Sequence, residues 1–101
     1  MYVLIPAYQP DARLPRLILE LHRADSAMRI VVVDDGSGEE YREIFDASRT
    51  AGAHVISYEG NRGKGYALRA GFTYIYDRAQ SLGINDCVVT ADADGQHTLV
   101  D

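Results

Sequence analysis

Four short apolar runs, separated by longer amphipathic stretches, constrain this chain more than any other feature. The runs are "YVLI" (Tyr2 to Ile5), "RIVVVDD" (Arg29 to Asp35), "AHVISY" (Ala53 to Tyr58) and "DCVVTA" (Asp86 to Ala91). Runs this short, bounded by Gly, Pro, Asp or Asn, read as buried strands. After the first, Leu14, Leu17, Ile18 and Leu21 recur at helical spacing, with Pro15 tolerable in a first turn. Tyr41, Ile44, Phe45 and Ser48 share the face of a second helix, with Ser37 as its expected cap and Gly52 as its stop. Leu68, Phe72, Ile75, Ala79 and Leu82 mark a third and longest helix, ending at Gly83.

Strand and helix alternating as βαβαβαβ bury both faces of a sheet. The expected class is therefore α/β, a Rossmann-like three-layer arrangement around a mainly parallel four-stranded sheet. Ligands of such sheets sit beyond the carboxyl ends of the strands, where strand order reverses. The segments that follow the four runs, "PAYQPD", "DDGSG", "EGNRGKG" and "DADGQH", are rich in polar residues and glycine and would share that rim.

Charge narrows what the rim can bind. Ten Lys+Arg stand against 15 Asp+Glu, a formal net charge of -5, which argues against nucleic acid as a partner because a phosphate backbone seeks clustered cations. No apolar run approaches the roughly 20 residues that span a bilayer, and "MYVLIPAY" lacks a basic leader, so a cytoplasmic location is expected. The single Cys87 excludes an intrachain disulfide and is expected to be a small buried thiol in a reducing compartment.

In an acidic chain, Asp34, Asp35, Asp92 and Asp94 at one rim need a reason to be together. Hard carboxylate oxygens suit Mg2+ or Mn2+, and a metal there would neutralise a diphosphate that the acids alone would repel. Arg62 and Lys64 add local cations, Gly36, Gly63 and Gly65 allow close backbone approach, and Gly95 permits a turn between acids and ion. Blander readings stand beside these. Asp pairs also serve turns and helix caps, and Arg62 and Lys64 also fit solvated surface charges. His22 fits a helix surface, His54 a packed strand start, and Tyr66, Tyr74 and Tyr76 packing or rim positions. His97 fits a metal neighbour or a loop support equally well, while Tyr8, just past a strand, could stack on a base. "GNRGKGY" is not a P-loop, "GKGYAL" fails the dinucleotide fingerprint, and "DADGQHTLVD" matches a calcium loop only at its opening. "VVTADADG" is also similar to the haloacid-dehalogenase-like motif, which would make Asp92 the nucleophile of a phosphohydrolase. A noncatalytic nucleotide-binding module is the remaining alternative.

Taken in order, "VLIPAYQP", "IVVVDDGSG", "NRGKGYALRAGF" and "VVTADADGQH" resemble the amino-terminal nucleotide-binding half of the family 2 glycosyltransferases, which have the GT-A fold, and most of all the dolichyl- or polyprenyl-phosphate hexosyltransferases. The resemblance spans nearly the whole chain. It implies transfer of a sugar from a UDP- or GDP-sugar to a polyprenyl phosphate or glycan, with Mg2+ or Mn2+, on a partial GT-A fold. By the same resemblance Pro6, Ala7 and Tyr8 line the base and ribose pocket, and Asp35, with Asp34 beside it, meets the base edge. Arg62 and Lys64 lie near the donor, Asp92 serves both donor and metal, and Asp94 and Gln96 complete the metal shell. Gln9 and Pro10 depart from the family's usual residues, as does Thr98 after "QH". The family's acceptor site and general base belong to a following segment, so residues 1–101 are expected to be the nucleotide-sugar-binding part, with no general base to name. In a full-length protein this part would work at the inner face of the membrane. A fourth strand left with an open edge would also offer a route to a homodimer.

Overall fold

The computed structural model describes residues 1–83 and 87–93, and the backbone of 97–100. Strand β1 (Tyr2–Ala7) leads to helix α1 (Arg13–Ala24), and β2 (Arg29–Asp35) leads through a single 3-10 turn (Glu39–Tyr41) to α2 (Arg42–Thr50). Then follow β3 (His54–Tyr58), α3 (Lys64–Leu82), β4 (Val88–Ala91) and β5 (His97–Val100). The sheet order is β3-β2-β1-β4-β5. β1, β2, β3 and β4 pair in parallel, as the alternation of strand and helix demands, while β5 runs antiparallel to β4.

β5 adds an antiparallel fifth strand to the four parallel strands expected. His97–Val100 is a four-residue run, too short for its period to be distinguished in sequence from a loop. Its pairing from Val88↔Val100 to Ala91↔His97 covers the β4 edge that had been expected to lie open, so that edge offers no route to a dimer. No helix among the described residues is long and apolar enough to cross a membrane.

The pleat divides the core into two halves, because successive strand residues point to opposite faces. Val3, Ile5, Ile30 and Val32 pack with Leu14, Leu17 and Ile18 of α1 and Phe45 of α2. Tyr2, Leu4, Val31 and Val33 pack on the other face with Ala67 and Ile75 of α3. Of the spacing Leu68, Phe72, Ile75, Ala79 and Leu82, Ile75 is buried as expected and Leu82 is exposed, while the other residues buried deepest are Ala67 and Gly71. Close approach explains this: a Cβ on Gly71 would overlap the Leu4 methyls, so α3 lies almost against β1. Gly83 ends α3 in the left-handed conformation, as expected of a helix-stopping glycine.

Two local expectations are corrected. Ser37 does not cap α2; its hydroxyl accepts from the Gln9 N–H at 2.8 Å and so ties the loop after β1 to the loop after β2. Cys87 is exposed, since it precedes β4 and is not part of it.

Candidate functional site

β1 pairs with β2 along its whole length, from Tyr2 to Ala7, but with β4 only from Tyr2 to Leu4. The carboxyl end of β1 is therefore free on its β4 side, where the strand order reverses and a doubly wound sheet opens a ligand crevice. The cleft there has a volume of about 320 Å³ and is lined by Pro6, Ala7, Tyr8, Asp35, Asn61, Gly63, Lys64, Ala67 and Asp92. A neighbouring hollow of about 280 Å³ shares Pro6, Ala7, Tyr8 and Asp92 and continues to Gln9, Pro10, Asp11, Arg13 and Ala93. Together they have room for a nucleotide-sized ligand.

Six expected site residues meet at this cleft: Pro6, Ala7, Tyr8, Asp35, Lys64 and Asp92. Tyr8 is 50% exposed, leaving its ring face open to a planar group. Lys64 opens α3, and its Nζ donates to Asp92 Oδ1 at 3.1 Å, linking the loop after β3 to the end of β4. Both side chains of that pair are largely solvent-accessible, so the contact is weak and exchangeable.

Asp35 is the best-held group in the cleft. Its Oδ1 accepts from the Tyr58 hydroxyl at 2.6 Å and from the Arg62 N–H at 2.9 Å. Its Oδ2 accepts from the Gly63 N–H at 2.9 Å and from Asn61 Nδ2 at 3.2 Å. Burial alone would raise its carboxyl, yet the hydrogen bonds from Tyr58, Arg62 and Gly63 outweigh that effect and hold it below the usual carboxylate value. The same contact acts in reverse on Tyr58, whose hydroxyl is pushed above its ordinary value by burial and by the adjacent carboxylate.

Asp34 does not join Asp35, and the pleat gives the reason. Asp34 follows Ile30 and Val32 onto the α1 and α2 face, whereas Asp35 follows Val31 and Val33 onto the α3 face. Asp34 Oδ1 accepts from the Ser37 N–H at 2.9 Å, and the residue lines a separate cavity of about 550 Å³ with Arg42, Phe45, Arg49 and Tyr58. That cavity is the larger of the two, but each of its arginines stands beside an acid in an exposed pair, Arg42 with Glu39 and Arg49 with Asp46, each at 2.9 Å. It also gathers fewer of the loops at the switch point. The Arg62 guanidinium likewise lies outside the cleft lining, 5.1 Å from the centre of the Tyr66 ring, and contributes its backbone N–H instead.

Sequence reasoning missed Tyr58 and Asn61 as site residues. Asn61 stood in plain view in "NRGKG", and Tyr58 pairs in register with Asp35, but nothing in sequence showed that both would turn toward one carboxylate. Among the described residues no group of three or more His, Cys, Asp or Glu could hold a metal. Of the expected metal ligands Asp92 faces the cleft, while Asp94 and Gln96, with the turn at Gly95, lie outside the described residues, as does the His97 side chain. A half-exposed carboxylate held by one exchangeable lysine suits an oxygen-seeking divalent ion as a first ligand.

The fold and the cleft define an α/β domain of the GT-A class. Residues 2–99 match glycosyl transferase family 2, and the chain belongs to that family. It is 32% identical over 102 residues to an undecaprenyl-phosphate 4-deoxy-4-formamido-L-arabinose transferase of Sodalis glossinidius, covering 94% of this chain and 29% of the relative. It is 34% identical over 98 residues to a polyprenol monophosphomannose synthase of Mycolicibacterium smegmatis, covering 94% and 35%. The chain thus spans about a third of the length of these relatives. Among solved structures, a mannosyltransferase from Pyrobaculum calidifontis in complex with GDP-Man and Mn2+ matches with TM-score 0.63 at 21% identity, over 92% of this chain and 27% of that one. S. aureus TarS matches with TM-score 0.65 at 23% identity, over 92% and 16%. With the family shown, the phosphohydrolase alternative is set aside.

Proposed function

We propose that this chain is the donor-binding part of a divalent-metal-dependent glycosyltransferase that moves a sugar from a nucleotide-sugar to a polyprenyl phosphate. The observation that carries the reading is the convergence of Tyr8, the Asp35-held loop, Lys64 and Asp92 on one crevice at the strand-order reversal. Tyr8 stacks on the base, with Pro6 and Ala7 forming the wall beneath it. Lys64 meets the diphosphate, since an ammonium tracks phosphate charge without demanding a fixed geometry. Asp92 holds Mg2+ or Mn2+, joined by Asp94 and Gln96; the bound ion supplies charge neutralisation for the departing diphosphate. Asp34 and the Arg62 side chain, expected beside the donor, take supporting roles outside the cleft.

A mannosyltransferase of similar fold solved with GDP-Man and Mn2+ supports a nucleotide-sugar and metal in a cleft of this kind. Relatives named for undecaprenyl phosphate and polyprenol support a lipid-linked acceptor over a glycan. Calorimetric titration of GDP and of UDP, with and without Mn2+, tests the donor site. Metal-dependent binding that Asp92→Asn weakens at least tenfold is expected. Binding that ignores both the metal and the substitution would refute the reading.

A further inference from the structure

The geometry points to Tyr58 as a positioning residue for the donor cleft, acting through Asp35. This inference rests on the donor-site reading and adds to it a residue that lies outside the cleft lining. A carboxylate offers about four lone-pair sites, and all four on Asp35 are taken: Tyr58 Oη and Arg62 N on one oxygen, Gly63 N and Asn61 Nδ2 on the other. The carboxylate acts on the chain, because the two N–H groups it holds, those of Arg62 and Gly63, immediately precede Lys64. Fixing Arg62 and Gly63 fixes where α3 begins, and with it where Lys64 and Asn61 stand in the cleft.

Tyr58 sets the angle of that carboxylate. Its 2.6 Å hydrogen bond is the shortest of the four, as expected for a hydroxyl meeting an ionised acceptor. The Tyr58 ring is itself held, edge-on to Tyr66 at 5.1 Å between centres, and the Arg62 guanidinium lies over the other ring of that pair. Strand end, loop and first helical turn are thereby joined through one hydroxyl. Phenylalanine would keep the ring packing and remove only the donor, leaving the carboxylate held by three hydrogen bonds instead of four.

The test compares Tyr58→Phe with Tyr76→Phe, whose side chain is 65% exposed, and with Asp35→Asn and the Tyr58→Phe/Asp35→Asn pair. Tyr58→Phe is expected to weaken GDP or UDP binding about three- to tenfold, to leave Mn2+ binding in the absence of nucleotide unchanged, and to speed hydrogen exchange at the Arg62 and Gly63 amides. The double variant should bind no worse than Asp35→Asn alone, because one residue acts through the other. Unchanged exchange at Arg62 and Gly63, losses that simply add, or an equal effect from Tyr76→Phe would overturn the inference. If the unmodified chain bound neither nucleotide, the donor-site reading would fail, and the exchange rates would still decide whether Tyr58 holds the loop.

Discussion

Replacing Gly36 by alanine tests whether the cleft depends on two loops meeting backbone to backbone. Gly36 has φ +68°, and a Cβ on it would overlap the carbonyl group of Gly60 and the amide nitrogen of Asn61. Two costs add. Left-handed backbone costs a non-glycine residue about 1–2 kcal/mol, and forcing atoms into filled space costs about 1–3 kcal/mol. Destabilisation of roughly 2–5 kcal/mol is expected. Gly83 separates the two effects, because its φ is +67° and nothing among the described residues lies within 4 Å of its Cβ. Gly83→Ala should therefore lose only the backbone part, about 1–2 kcal/mol. Urea unfolding followed by far-ultraviolet circular dichroism measures both variants, and in a domain of this size each 1 kcal/mol lowers Tm by about 4–8 °C. Nucleotide binding should fall in Gly36→Ala and hold in Gly83→Ala, since only the first displaces Asn61 from Asp35. If Gly36→Ala unfolds no more easily than Gly83→Ala, the loops do not meet as described and the Asp35 network loses its support.

Lys64→Met should change stability by less than about 1 kcal/mol, because the ion pair it breaks is exposed, yet weaken a nucleoside diphosphate while sparing the bare nucleoside. Calorimetry with GDP and guanosine, or UDP and uridine, decides this, and an equal loss for both members of a pair contradicts the role given to Lys64. The Asp35 carboxyl titrates below its ordinary value when folded, so its stabilising contribution is complete above the unfolded value of about 3.9 and is lost as pH falls through the lower, folded one. Amide protection at Arg62 and Gly63, followed by hydrogen exchange, should hold from pH 7 to about 5, weaken below about 4 and be lost only as pH falls through the lowered folded value; a decline already between pH 7 and 6 would assign it to another group.

Periodicity carries far at the level of elements and less far at the level of contacts. The strand runs and helical spacings of residues 2–83 are local, and each forms where its pattern lies. β5 was not legible, because His97–Val100 is four residues with no distinct period of its own. The rim was legible as a set of loops, since in a parallel sheet every post-strand segment emerges on one side. Which side chains share a face was less so. The split of Asp34 from Asp35 follows from the pleat and was available in principle, whereas the turn of Tyr58 and Asn61 onto Asp35 depends on loop geometry that only three dimensions supply. Cys87 shows the same limit, as the run read in sequence began at Asp86, two residues ahead of the strand it announced.

The pleat at the end of β2 makes strand register a condition of binding. Two identical acids stand side by side in sequence, and only parity decides which one grips the loop before α3 and which one turns toward α2. Slipping β2 by one position in register would exchange their faces without altering composition or charge. Such a shift would present each acid to the loop that the other one serves now.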